Sequence, residues 1–272
     1  MEQAEWAGTI GDVWAEEWRR TDRSFAGLAT ALNAAIRANA LAGARTIADI
    51  GCGAGVTSIA TAQAFPDAQV TGLDISLGLV AVARERSHGI PNLSFVAGDA
   101  PTAIHDLAPV DLIVSRHGVM FFDDPVAAFA ALRSAMTPGG RLVFSCFRSP
   151  RLNGWASWLS DGGAPPPPGI GAPGPFAFAD EGAVTHMLAA AGWGDAVAEP
   201  VDYRYRAGEG EDPIEDAVSF FTRIGPTARA LRDASPAERA VLLDRMRALM
   251  AEQLKHGAVD FDAAAWIWTA RA

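Results

Sequence analysis

The chain has 272 residues, half of them hydrophobic and a fifth charged, which is the composition of a folded protein rather than a disordered one. Its 22 Lys and Arg against 32 Asp and Glu give a formal net charge of −10. That balance disfavours nucleic acid as a partner, because phosphate binding requires a basic surface. No secretory signal and no apolar stretch of roughly 18 residues is visible, so we expect a cytoplasmic protein with no membrane contact.

The two cysteines, Cys52 and Cys146, are too few for a metal cluster. We predict reduced thiols and no metal site.

Residues 1–44 precede the sheet and are predicted to form a helical N-terminal cap. From 45 to 150 the chain alternates apolar, strand-like runs with helix-like segments, one of which begins with Asp124 as N-cap and Pro125 in the first turn. Such alternation predicts βαβ units and an α/β fold with a doubly wound, mostly parallel sheet. The strand-like runs are "TIADIG", "AQVTGLDIS", "LSFVAGDA", "VDLIVSRHG" and "RLVFSCF".

Residues 151–179 are too rich in proline and glycine for regular structure, and we predict either a linker or an ordered loop held by aromatic side chains. Residues 180–272 are predicted to complete the sheet and to begin with a helix that has Asp180 as its N-cap. A helical insertion at about 211–257, with a capping-box pattern from Ser235 to Glu238, is a candidate lid between the last two strands.

Three glycines follow the first strand in "IADIGCGAG": Gly51, Gly53 and Gly55. Glycine is costly in backbone entropy, so this spacing indicates a tight bend or a close approach of another group. A strand, a glycine turn and a helix together offer free N–H groups to an anion or a nucleoside. The pattern is G-x-G-x-G, which differs from the dinucleotide fingerprint G-x-G-x-x-G.

Carboxylates end the first three strands. Asp74 suits the two hydroxyls of a ribose, Asp99 suits an adenine amino group, and Asp49 lies beside the glycines, where it can order the loop or face a cation. Lys255 is the one lysine in the sequence, far from these motifs. A sulfonium cofactor needs acids and a close backbone and needs no phosphate cradle, so this combination favours S-adenosyl-L-methionine over NAD.

Five ordered motifs resemble those of a class I S-adenosylmethionine-dependent methyltransferase, and most closely the bacterial group similar to ubiquinone/menaquinone C-methyltransferases. The resemblance covers about residues 45–150. It implies a Rossmann-like sheet of seven strands, the last antiparallel, with the cofactor across the carboxyl ends of the first strands. The motifs are "IADIGCGAG", "VTGLDIS", "FVAGDA", "VDLIVSRHGVMFFDDP" and "LRSAMTPGGRLVFSCF".

The same resemblance implies a set of cofactor-contacting residues. The methionine end would meet Gly51, Cys52 and Gly53; the ribose Asp74; the adenine Ile75, Asp99 and Ala100; and the sulfonium region Ser115 and Arg116. Each has a plainer alternative: Cys52 as a small packing residue, Asp74 as a helix cap, and Asp99 as a solvated turn acid.

Methyl transfer from a sulfonium is a displacement in which orientation supplies much of the acceleration, so a base is needed only when the acceptor must lose a proton. His117 is the candidate base, or else a histidine that packs near the cofactor. Arg116 is a candidate anchor for an acceptor carboxylate, or the partner of a nearby acid. Trp14, Trp18, Phe121 and Trp155 are candidate walls of an apolar acceptor pocket, or ordinary packing.

The sequence therefore predicts a methyltransferase acting on a small, partly apolar molecule, with O-methylation ahead of C- and N-methylation. Three alternatives stay open at this point. They are a modifier of peptide or RNA, a non-catalytic relative that only binds the cofactor, and a nicotinamide oxidoreductase.

Overall fold

The computed structural model describes residues 6–157 and 169–272, so most of the proline-rich part of the predicted 151–179 loop lies outside the described residues. Eight strands form one sheet in the order β3-β2-β1-β4-β5-β8-β6, with the short β7 paired to β8. The strands are β1 Thr46–Ile50, β2 Gln69–Asp74, β3 Leu93–Ala97, β4 Val110–Arg116, β5 Met136–Phe147, β6 Gly194–Gly208, β7 Leu254–Lys255 and β8 Ala258–Arg271.

The α-helices of the described residues fall in three groups. The first precedes the sheet, the second lies between its strands, and the third lies between β6 and β8. They are α1 Thr9–Glu16, α2 Trp18–Ser24, α3 Ala26–Asn39, α4 Val56–Ala64, α5 Leu77–Arg86, α6 Ala100–Ala103, α7 Pro125–Ser134, α8 Gly154–Ser157, α9 Glu181–Ala190, α10 Pro213–Arg223, α11 Gly225–Asp233 and α12 Pro236–Gln253.

Strands β1 to β5 run parallel to one another, and β8 is antiparallel to both β5 and β6. The predicted α/β architecture, including its antiparallel last strand, is confirmed. The strand count differs by one, because the chain turns at His256 and Gly257, both at positive φ, and forms the two-residue β7 against the start of β8.

Burial along the strands explains their sequences. β1 and β2 are almost wholly buried, as expected for parallel strands covered on both faces, and their sequences are therefore continuous apolar runs. Near its end β6 instead alternates, with Tyr203, Tyr205 and Ala207 buried and Arg204 and Arg206 exposed. One face of that strand consequently packs inward while the other meets solvent.

Side-chain caps fix several helix starts that the sequence predicts. Asp124 accepts the Ala127 N–H at 3.0 Å and Asp180 accepts the Ala183 N–H at 2.7 Å. Ser235 and Glu238 form the predicted capping box at the start of α12. Each such cap contributes about 1 kcal/mol to helix stability.

The helices before the sheet pack in two directions. α3 buries Leu28, Leu32 and Ile36 in the core, whereas α1 lies on α5. A Cβ at Gly11 would clash with the Ser76 hydroxyl, so glycine allows the α1 backbone to rest directly on the start of α5. Within 6–157 and 169–272 no helix is long and apolar enough to cross a membrane, and no group of three or more His, Cys, Asp or Glu could hold a metal ion.

Candidate active site

The glycine loop, residues 51–55, joins β1 to α4. Gly51, Gly53 and Gly55 have φ of +63°, +54° and +83°, a region that other residues adopt only with strain. A Cβ at Gly51 would lie 2.7 Å from the Cα of Gly118, and one at Gly55 would lie 2.8 Å from the Phe95 ring. The glycines therefore serve both a tight bend and a direct backbone contact with the loop after β4.

Asp74 holds the glycine loop in place. Its Oδ2 accepts the Gly53 N–H at 2.8 Å and its Oδ1 accepts the Ser76 N–H at 2.9 Å. Burial raises the pKa of this carboxyl, and the two N–H groups act in the opposite direction. Asp74 is only 9% exposed, and the residue predicted to bind a ribose therefore also has a structural role in fixing the glycine loop.

Asp49 lies inside the core beside the glycine loop. The Ser58 hydroxyl donates to Oδ2 at 2.6 Å, and Oδ1 is buried with no hydrogen-bond partner among the described residues. Burial raises the pKa of Asp49 to about 7, although the Ser58 hydrogen bond and the charge of Arg116 lower it. A cation placed near Asp49 would favour its ionised form, so the position suits a sulfonium cofactor.

Cys52 behaves as a packing residue in this geometry. It is buried in a small apolar cluster with Val80, Ala83 and Phe95, and burial raises the pKa of the thiol well above its ordinary value. A thiol in this state is not a nucleophile. Its N–H donates to the Leu73 carbonyl at 3.1 Å, which ties the glycine loop to β2.

Asp99 lies further out, where β3 ends, and it accepts the Thr102 hydroxyl at 2.7 Å. An open pocket of about 220 Å³ lies beside it, lined also by Phe122 and Asp123. Ala100 is buried at the start of α6, and Ile75 is half-buried after Asp74. An aromatic side chain and carboxylates are a suitable lining for the predicted adenine.

Ser115 and Arg116 end β4 next to the glycine loop. The Ser115 hydroxyl donates to the Ile50 carbonyl at 2.7 Å and accepts the Gly118 N–H at 3.2 Å, which fixes the two loops to each other. Arg116 Nη2 donates to Asp22 Oδ1 at 3.0 Å, and the other oxygen of Asp22 pairs with Arg86 at 2.7 Å. Asp22 of α2 thus links the helices before the sheet to the end of β4 and to α5.

His117 has a φ of +59° and its Nδ1 lies 3.0 Å from the Ser145 hydroxyl. Its ring centroid is 4.1 Å from that of Phe147 and 5.0 Å from that of Phe25. Burial lowers the pKa of His117 to about 3, so the imidazole is neutral at physiological pH. A group with so low a pKa is too weak a base to take a proton efficiently near pH 7. The geometry therefore favours a packing or hydrogen-bonding role for His117 over general-base catalysis.

The four aromatic side chains predicted to line one acceptor pocket belong to three separate groups in the structure. Trp14 and Phe121 each pack against Trp6, at ring-centroid distances of 5.5 and 4.8 Å. Trp18 stacks on the Arg86 guanidinium at 3.8 Å. Trp155 alone joins the aromatic rings around His117, 5.1 Å from Phe147.

Several site residues carry no signal in the sequence. Asp22 of α2 is bonded to Arg116, 94 residues away, and Ser145 of β5 is bonded to His117, 28 residues away. Phe147 of β5 packs on His117, and Tyr203 of β6 lies near enough to Arg116 for the guanidinium charge to affect its pKa. Such long-range pairings follow from the sheet order rather than from a local motif.

The fold and the matched domain define the class. Residues 47–140 match the family model described as a methyltransferase domain. Solved structures with the same architecture include the YcgJ protein of Bacillus subtilis, with a TM-score of 0.58 and 15% identity over 89% of this chain and 97% of that one. The chain therefore has a methyltransferase-type, Rossmann-like α/β fold.

Curated relatives match the same part of the chain. The malonyl-acyl-carrier-protein O-methyltransferase of Xylella fastidiosa is 40% identical over 103 residues, 38% of this chain and 35% of that protein. The trans-aconitate 2-methyltransferase of Methylobacterium radiotolerans is 36% identical over 99 residues, 36% of each chain. The chain thus spans only about a third of the length of the curated relatives it matches.

Two further structures show how varied this fold is. Phosphoethanolamine N-methyltransferase 2 of Haemonchus contortus, in complex with S-adenosyl-L-methionine, has a TM-score of 0.55 and 16% identity, over 96% of this chain and 57% of that one. The cyclase SpnF has a TM-score of 0.51 and 19% identity, over 89% and 79%. Fold alone does not decide the reaction.

Proposed function

We propose that the protein is an S-adenosyl-L-methionine-dependent methyltransferase that O-methylates a small, partly apolar organic molecule. The observation that carries this proposal is the glycine loop, pressed against Gly118, held by Asp74 and flanked by the unpartnered carboxylate oxygen of Asp49. It lies within the segment that matches the methyltransferase domain.

The residues present fit this cofactor. The set proposed to hold it surrounds the ends of β1 to β4 and consists of Asp49, Gly51, Cys52, Gly53, Asp74, Ile75, Asp99, Ala100, Ser115 and Arg116. When bound, the cofactor supplies an electrophilic methyl group on a positively charged sulfur. Ser115 keeps the loop after β4 against the glycine loop, and Asp49 offers the sulfonium a buried acidic group.

The relatives support O-methylation of a small molecule, since their names specify a malonyl group carried by acyl-carrier protein and trans-aconitate. Kinship with ubiquinone/menaquinone C-methyltransferases and residence in the cytoplasm remain predictions. The roles of α1–α3 as a cap and of α10–α12 as a lid are likewise part of this proposal.

Transfer of tritiated methyl groups from labelled cofactor into a cell lysate tests the proposal. We expect label in the organic-soluble, low-molecular-mass fraction, and none in protein or RNA. Label in protein would support the alternative of a peptide modifier. Binding of S-adenosylhomocysteine without any transfer would support the non-catalytic alternative, for which the cyclase SpnF is a reminder that this fold serves other chemistry.

A further inference from the structure

Four buried polar groups, here called the donor cluster, have an atom without a hydrogen-bond partner in the described part of the chain; two of them lie at or just after the end of β4, one lies in α8 and one in β6. The atoms are Arg116 Nη1, His117 Nε2, Tyr203 Oη and Trp155 Nε1. A buried donor left unpaired costs about 1–3 kcal/mol, and more when it is charged. Other buried polar atoms of the described residues also lack a partner, but these four include a charged guanidinium, and ring contacts connect three of them.

Ring contacts connect these groups into one region. The guanidinium of Arg116 lies 5.2 Å from the Phe25 ring, Phe25 is 5.0 Å from His117, and His117 is 4.1 Å from Phe147. Phe147 in turn is 5.1 Å from Trp155. The donors therefore lie among aromatic rings.

Tyr203 belongs to the same region through β6. It lies two residues before Tyr205, on the same face of the strand, and the Tyr205 ring stacks 5.2 Å from Trp155. Burial raises the pKa of Tyr203 well above its ordinary value, and the charge of Arg116 partly offsets that rise. Tyr203 is consequently a protonated phenol, and it lies close enough to Arg116 for the guanidinium charge to affect its pKa.

The donor cluster offers hydrogen-bond donors rather than acceptors. Arginine and tryptophan nitrogens only donate, Tyr203 keeps its proton, and neutral His117 donates from Nε2 when the Ser145 hydroxyl donates to Nδ1. With the positive charge of Arg116 added, the cluster is suited to an anion with at least two acceptor oxygens. The surrounding aromatic rings suit an apolar body attached to that anion.

We propose that the methyl acceptor is a small organic acid with an apolar body, bound by the donor cluster and methylated on its carboxylate. This inference rests on the proposed function. One carboxylate oxygen forms the new C–O bond as the methyl C–S bond breaks, giving a methyl ester and S-adenosylhomocysteine. The negative charge of the acid and the positive charge of the sulfonium both disappear, and no proton moves. A general base is therefore unnecessary.

The first test asks which atom receives the methyl group. Purified protein is incubated with tritiated cofactor and phenylacetate, cinnamate or octanoate, each beside its amide, and also with a small-molecule cell extract. Methyl esters release volatile tritiated methanol in alkali, whereas C- and N-methyl products do not. We expect label from acids only, and release of that label in alkali.

The second test separates acceptor binding from folding. Arg116→Met should raise the acceptor KM or the Kd for phenylacetate by about 10–100-fold, the loss expected for a charged hydrogen bond. S-adenosylhomocysteine affinity should fall by a clearly smaller factor, and Arg116→Lys should restore part of the acceptor binding because it keeps the charge. Arg204→Met is the matched control, since Arg204 is an exposed arginine paired with Asp262.

The outcomes are distinguishable. Alkali-stable label that is a methyl ether overturns this inference and leaves the proposed function in place. Alkali-stable label on carbon or nitrogen, or binding of S-adenosylhomocysteine with no label in any small molecule, contradicts the proposed function as well. An equal loss of acceptor and S-adenosylhomocysteine affinity in Arg116→Met also overturns this inference. A protein that does not bind S-adenosylhomocysteine at all contradicts the proposed function itself.

Discussion

The glycine loop and the donor cluster lie at neighbouring strand ends but satisfy their polar groups in opposite ways. In the glycine loop the chain supplies the partners: Asp74 accepts two backbone N–H groups and Ser115 links the two loops. In the donor cluster four buried polar atoms lack a partner among the described residues. The loop is thus preorganised by the fold, whereas the donor cluster is proposed to find its partners in the methyl acceptor.

This contrast predicts two kinds of mutational effect. Changes in the glycine loop should lower both stability and cofactor affinity, because the same hydrogen bonds serve both. Changes in the donor cluster should act on the acceptor and leave much of the fold intact.

The largest effect is expected for Gly51→Ala. The new Cβ would need positive φ and would lie 2.7 Å from the Gly118 backbone, which cannot move without separating the two loops. We expect a loss of at least about 3 kcal/mol in the free energy of unfolding, combining strain and overpacking, together with loss of S-adenosylhomocysteine binding. Chemical denaturation and calorimetry measure the two effects.

The matched control is Gly43→Ala. Gly43 also has positive φ, +78°, but a Cβ there meets nothing within 4 Å. It should cost about 1–2 kcal/mol from backbone strain alone and leave cofactor affinity unchanged. Equal losses in the two variants would show that the contact between the two loops is unimportant.

Asp74→Ala should come next. It removes a buried acceptor of two backbone N–H groups and leaves them unpaired, so we expect about 2–4 kcal/mol of destabilisation and a large fall in S-adenosylhomocysteine affinity. Asp99→Ala is the comparison, because Asp99 is partly exposed and bonds to a hydroxyl. It should reduce affinity while costing less than about 1 kcal/mol of stability. If both variants kept full affinity, neither acid would hold the nucleoside.

Lowering the pH should titrate two buried groups whose effects on the free energy of unfolding are opposite. The pKa of His117 is depressed to about 3, so the unfolded chain binds more protons and this residue costs stability as pH falls from 8 to 5. The pKa of Asp49 is raised to about 7, so the folded chain binds more protons and this residue adds stability over the same range. Each contribution is about 2 kcal/mol at pH 5 and the two nearly cancel.

The single variants separate those titrations. Relative to the wild type, Asp49→Asn should lose about 2 kcal/mol of unfolding free energy between pH 8 and pH 5, and His117→Asn should gain a similar amount. Denaturant titrations at pH 5 and pH 8 measure this. Parallel pH dependence in all three proteins would contradict the assigned burial of both groups.

The smallest effect is expected in the pH–rate profile. Since His117 is neutral and a carboxylate acceptor has no proton to lose, kcat should stay flat from pH 6 to pH 8 in both the wild type and His117→Asn. A rate that rises with a pKa near 7 in the wild type, and is flat in the variant, would restore the role of His117 as general base.

The sequence allowed the glycine loop to be predicted, because its signals are local. Three glycines after an apolar strand, and an acid where the next strand ends, place Gly53 and Asp74 together once the strands are parallel and adjacent. The helix caps at Asp124, Asp180 and Ser235 were predictable for the same reason.

The donor cluster was not predictable as a unit. Arg116 and His117 were recognised, but their partners arrive from α2, β5 and β6, and the pKa of His117 follows from burial that no local pattern reveals. The prediction that four aromatic side chains line one pocket was wrong for a similar reason. Spacing along the chain does not reveal that Trp18 stacks on Arg86. Local motifs located the glycine loop, while the sheet order assembled the donor cluster.

The most direct test of the central claim is isothermal titration of the purified protein with S-adenosylhomocysteine and, in parallel, with NAD. We expect binding of S-adenosylhomocysteine, weakened by Asp74→Ala and unaffected by Gly43→Ala, and no binding of NAD. Binding of NAD together with no binding of S-adenosylhomocysteine would contradict the central claim.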